Sequence, residues 1–168
     1  IGDRLGMVLF GERAYLQAPL TFDRRTIQRF LQEAEIGLAG ARRTAIGDGL
    51  GMALKHLQGS QGKERAVILI TDGANNSGAL SPDQALALAT TMGVRVFTIG
   101  VGAEEMNVRD GFFGNRKVNP SSELDEALLQ KIAAETGGQY FRARDEAEMQ
   151  RIYREIDALA PALSDADV

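Results

Sequence analysis

Apolar and polar positions along the chain repeat with two different periods. Residues 5–10 and 14–18 read as two strands joined by Gly11-Glu12-Arg13, a turn of hairpin length, and Pro19 either ends the second strand or places it at an edge. From Asp23 onward, Ile27, Phe30, Leu31 and Ala34 recur at the spacing of one helix face. A Gly/Ala-rich loop over 37–43 leads to a second helical stripe of Ile46, Leu50, Ala53, Leu54 and Leu57. Residues 66–70, Ala-Val-Ile-Leu-Ile, form a continuous apolar run, the pattern of a strand covered on both faces. The next helix carries a full start signal. Ser81 caps, Pro82 takes the first helical position and Gln84 completes a capping box; Ala85, Leu88, Ala89 and Met92 make the buried stripe and Gly93 the stop. A second buried-type strand follows over 94–99, then a long irregular loop over 102–120. A helix over 122–136 ends at Gly137-Gly138, and a short strand spans 139–143. Asp145 and Glu148 form another capping box for a last helix with Met149, Ile152, Tyr153, Ile156 and Leu159 on its apolar face, ended by Pro161.

Strands alternating with helices, two of them wholly apolar, predict an α/β domain: a Rossmann-like, doubly wound, mostly parallel sheet with helices on both faces. The 168 residues suit one domain, placed at 1–161 with a tail over 162–168. The abrupt start at Ile1, without Met and directly before a strand, predicts a piece of a longer protein. Composition narrows the functions. A formal charge of −4, 6% aromatic residues and no Trp argue against nucleic-acid binding. Without Cys there is no thiolate zinc site and no Cys nucleophile. The longest apolar run, five residues, is too short to span a bilayer, so these residues read as a soluble piece.

In such sheets ligands bind beyond the carboxyl ends of the strands. The strand over 66–70 ends in Thr71-Asp72-Gly73-Ala74-Asn75-Asn76-Ser77-Gly78, which places the Asp72 carboxylate at that crevice. It suits a hard divalent cation such as Mg²⁺, or else caps its own turn. Asn75 and Asn76 read as loop-shaping residues that tolerate left-handed backbone. Thr44, just before the second helix, either caps that helix or ligates a metal. Gly47, Gly49 and Gly51 fall inside the helical pattern with no strand before them, so they read as close-packing positions rather than a dinucleotide loop. His56 is the only His and sits in a helix, so no zinc site or Ser-His-Asp triad assembles and no catalytic centre is visible.

Taken in order, these segments resemble a von Willebrand factor type A (vWA) domain. Asp3 to Gly11 looks like that family's second strand, Thr44 to Leu50 like its threonine loop, Leu69-Ile70-Thr71-Asp72-Gly73 like its fourth strand, and Val96 to Gly102 like its fifth. Asn75-Asn76-Ser77-Gly78 and Gly137-Gly138-Gln139-Tyr140-Phe141 are similar to the bacterial Bat-type (aerotolerance-related) members. The resemblance implies a metal-ion-dependent adhesion site (MIDAS) holding Mg²⁺, with Thr44 and Asp72 as two of its ligands. The family's Asp-x-Ser-x-Ser motif is not in this sequence, and the resemblance places it on a first strand preceding Ile1, central in the sheet between the second and fourth strands.

The implied function is non-enzymatic: a metal-ion-dependent protein-interaction domain in which a partner carboxylate completes the Mg²⁺ site. The resemblance further implies a parent anchored in a bacterial cytoplasmic membrane, associated with related vWA proteins and MoxR-type AAA+ ATPases. The rival is a metal-dependent hydrolase or phosphoryl-transfer enzyme using Asp72, for which the sequence offers no nucleophile or base; a structural scaffold with a dead metal site is a third reading. Without the first strand, these residues are expected to bind Mg²⁺ weakly or not at all. They are further expected either to close the gap by pairing 5–10 beside 66–70 or to self-associate through the open edge, with self-association favoured.

Overall fold

The computed structural model describes residues 4–33, 43–60, 64–72, 75–102, 106–110, 114–118 and 125–159. The loop over 37–42, the start of the helix at 122–124, Gly73, and the chain end over 160–168 with Pro161 lie outside the described residues. Strand β1 (Leu5–Phe10) turns through Gly11 to Arg13 into β2 (Ala14–Thr21), an antiparallel hairpin. Pro19 does not end β2. It sits opposite the stretch of β1 where the register shifts between Leu5 and Met7, so the ladder tolerates the missing donor.

Helix α1 (Arg24–Glu33) begins where the Asp23 carboxylate accepts the Thr26 N–H and hydroxyl, at 3.1 and 2.6 Å. Helix α2 (Ile46–Leu57) leads to β3 (Ala66–Thr71), then α3 (Pro82–Met92), β4 (Arg95–Val101), α4 (Glu126–Thr136), β7 (Tyr140–Ala143) and α5 (Glu146–Leu159). The α3 start follows its sequence signal in full: Ser81 accepts from the Gln84 N–H, Gln84 accepts from the Ser81 N–H, and Gly93 closes the helix in the left-handed region at φ 68°. At α5 the Asp145 carboxylate accepts the Glu148 N–H, but Glu148 reaches back to the N–H of Arg144 rather than of Asp145.

β3, β4 and β7 form a parallel sheet in that order. One face is buried by α2, α3 and α4, through Leu50, Leu54, Leu86, Leu129 and Ile132 against Leu69 and Val96. The other is buried by α5, through Ile152 and Ile156 against Phe97, Ile99 and Phe141. Helices therefore cover both faces, as the alternating pattern predicts.

Three expectations are corrected. Part of the expected irregular loop over 102–120 is a second antiparallel hairpin, β5 (Met106–Asp110) and β6 (Gly114–Val118). Leu88, expected in the buried stripe of α3, is 38% exposed, and Leu86 takes its place in the core. The apolar run of β3 is not covered throughout: Ile68 is 42% exposed, whereas Leu69, pointing to the opposite face against α2 and α3, is 3% exposed.

Candidate metal centre

Asp72 follows β3 directly and is exposed, at the carboxyl end of the parallel sheet where the strand pattern places it. Thr44 is half-buried, two residues before α2. The two segments come together although they are far apart in sequence. The Thr44 N–H donates to Asn76 Oδ1 (2.8 Å), and the Asn76 N–H donates to the Thr44 carbonyl oxygen (3.1 Å). Thr44 makes no side-chain cap for α2; Ala45 is the capping position and contributes no side-chain bond. The Ile46 N–H instead donates to Asn75 Oδ1 (2.9 Å), so a residue from the other loop satisfies a free donor of the first helical turn.

The loop is fastened at its far side as well. Asp48 accepts the Ala79 and Leu80 N–H groups, one on each carboxylate oxygen, at 3.1 and 2.7 Å. Gly78 lies at φ 111°, where a Cβ would stand 3.0 Å from the Asp48 carboxylate, so both conformation and space call for glycine. Asn75 and Asn76 do not serve as left-handed residues: among the described residues only glycines have positive φ. Their work is to accept hydrogen bonds across the loop. The glycines of α2 pack closely, as their helical placement predicts. A Cβ on Gly49 would meet the Phe10 ring at 2.7 Å, and one on Gly47 would enter the backbone at Leu80.

β1 runs in the same direction as β3. Beyond its carboxyl end, the Gly11 carbonyl accepts the Ala45 N–H (2.7 Å) beside the Thr44–Asn76 pair; at its start, Arg4 donates to Ser60 Oγ (3.0 Å) ahead of β3. No described strand pairs with the facing edges of β1 and β3, so of the two expected outcomes the less favoured one, closure of the gap by direct pairing of the two, does not occur. Between them lies a mostly apolar cavity of about 380 Å³, lined by Met7 and Val8 of β1, Val67 and Leu69 of β3, and Leu50 and Ala53 of α2.

The donor set tests the metal reading. A hydroxyl and a carboxylate are the hard oxygens that Mg²⁺ prefers. Their number is small: among the described residues no group of three or more His, Cys, Asp or Glu side chains is placed to hold an ion. His56 is exposed on α2 and belongs to no such group. No described helix is long and apolar enough to cross a membrane.

A family model described as von Willebrand factor type A domain matches residues 1–155. Among solved structures, the chain is similar to an uncharacterized membrane-spanning protein from Vibrio fischeri, 53% identical, covering 95% of this chain and 77% of that one, with a TM-score of 0.54. It is also similar to an aerotolerance-related membrane protein from Bacteroides fragilis, 29% identical over 94% of this chain and 81% of that one, TM-score 0.66. A mussel byssus protein, proximal thread matrix protein 1, was solved with zinc in its MIDAS motif; it is 26% identical over 94% of this chain and 34% of that one, TM-score 0.69. The chain spans about half the length of the curated relatives it matches.

Proposed function

Because the chain belongs to the von Willebrand factor type A family, we propose that it acts as a metal-assisted protein-interaction domain, non-enzymatic, in which Thr44 and Asp72 ligate a Mg²⁺ ion. The observation that carries this reading is the reciprocal hydrogen-bonded pair between Thr44 and Asn76, which brings the Thr44 segment to the chain just after Asp72 at the sheet's carboxyl end. When bound, the cation offers an open coordination position to an acidic side chain of a protein partner. Asp72 offsets part of the cation's charge, and the Thr44 hydroxyl adds a neutral oxygen. Zinc in the MIDAS motif of the byssus protein supports a divalent cation at such a site.

Two protein oxygens with one negative charge give little hold on an ion that dehydrates reluctantly. The family resemblance assigns the remaining ligands to a first strand, and the apolar cavity between β1 and β3 is where such a strand would lie. Calorimetric titration with Mg²⁺ tests this. The 168 residues are expected to bind weakly or not at all, and the full-length parent to bind with an affinity that Asp72→Ala abolishes. Tight binding by the 168 residues alone would show that the ligands are misplaced.

The parent is proposed to be anchored in a bacterial cytoplasmic membrane and to work with related vWA proteins and a MoxR-type AAA+ ATPase. The membrane anchoring is supported by the similarity to solved membrane proteins from Vibrio fischeri and Bacteroides fragilis. Taken alone, these residues are proposed to self-associate, since unpaired strand edges beside exposed Ile68 recruit other chains. A monodisperse monomer in light scattering would end that proposal.

A further inference from the structure

Asp48, Asn75 and Asn76 are unlike ordinary loop polar residues in one respect. Their side-chain acceptors are spent on backbone donors 29 to 32 residues away in sequence, not on their own turns. Asn76 closes a two-bond ring with Thr44, engaging both the N–H and the carbonyl of that residue. Asn75 takes the Ile46 N–H, which water would otherwise satisfy, since Ala45 offers no cap. Asp48 grips the far end of the same loop at Ala79 and Leu80 with a charge-assisted pair. The loop from 75 to 80 is thus fixed at both ends to one rigid object, the first turn of α2 and the residues before it.

We propose that Asn75, Asn76 and Asp48 are positioning residues, which hold Thr44 in fixed register with Asp72 so that the two meet one cation preorganised. The inference rests on the reading of Thr44 and Asp72 as ligands. The physical reason is preorganisation: affinity depends on how little the ligands must be ordered on binding. Residues behind metal ligands commonly matter by about 10–100-fold in affinity when removed.

The test uses the full-length parent protein, titrated with Mg²⁺ by calorimetry, with backbone hydrogen exchange measured in the metal-free state. Asn76→Ala and Asn75→Ala are expected to weaken Mg²⁺ binding by about tenfold or more. They should also speed exchange at the Thr44 and Ile46 amides respectively, while the Val96 and Ile99 amides stay as slow as in wild type. Asn76→Asp keeps the accepting oxygen and should restore slow exchange at Thr44, which separates a lost hydrogen bond from general loosening. Unchanged exchange at both amides overturns the inference. So does faster exchange with Mg²⁺ affinity within twofold of wild type. Asp72→Ala separates the two levels of failure. If it binds Mg²⁺ like wild type, the ligand reading falls and the positioning role with it. If it loses binding while both Asn variants keep theirs, the positioning role alone is overturned.

Discussion

Gly47→Ala is a one-methyl test of how the candidate site is held. Gly47 is the second residue of α2, and a Cβ there points into the backbone that leads into α3: it is driven against the Leu80 carbonyl oxygen, with the carbonyl carbons of Ser81 and Leu80 at 2.8 and 2.9 Å. Backbone cannot swing aside as a side-chain tip does, so either α2 or the segment at Leu80 must shift. Overpacking of this kind costs about 1–3 kcal/mol. Alanine recovers up to about 0.5–1 kcal/mol of helix propensity, less in a first turn than in a helix interior. The displaced segment is the one gripped by Asp48, and each strained hydrogen bond to that carboxylate adds up to about 1.5–3 kcal/mol. The expected net loss is about 2 kcal/mol, which for a chain of this size lowers the melting temperature by about 4–8 °C. Urea and thermal unfolding followed by circular dichroism measure it, with Gly59→Ala as the control, since a Cβ at Gly59 meets nothing within 4 Å. Stability of Gly47→Ala equal to or above wild type would refute the packing argument, and with it the claim that α2 and the loop form one unit.

Thr98 is fully buried in β4 and its hydroxyl donates to the Leu129 carbonyl oxygen at 2.8 Å. Thr98→Val keeps the shape and removes the donor, and should cost about 1–2 kcal/mol in urea unfolding. Tyr140 titrates late: burial first, then the hydrogen bond its hydroxyl donates to Glu126 (2.7 Å), push the phenol from 10.0 up to about 12. A raised folded-state value means the native state holds its proton more tightly, so this contribution is fully present below about pH 10 and is lost as pH rises through about 12. Tyr140→Phe should flatten the fall in stability across that window. An equal slope in the variant and the wild type would show that Tyr140 is not its source.

The sequence by itself determined most of the elements, because these depend on local pattern. The apolar run at 66–70, the Ser81-Pro82-Gln84 start, the Gly93 and Gly137 stops and the helical stripes of α2 and α5 all reappear. The placement of Asp72 after β3 and of Thr44 before α2 follows from the same pattern. The β5–β6 hairpin was missed: Met106 and Val108 alternate with polar residues before the glycines at 111 and 114, but the polar composition of the segment reads as loop. Tertiary structure alone decided what Asn75, Asn76 and Asp48 do. An Asn in a turn carries a local expectation of left-handed backbone, whereas its actual partner lies about thirty residues away and leaves no spacing signal. The exposure of Ile68 was hidden for the same reason: an apolar run reports a preference for burial, and only the packing of helices on each face shows which of its residues are covered.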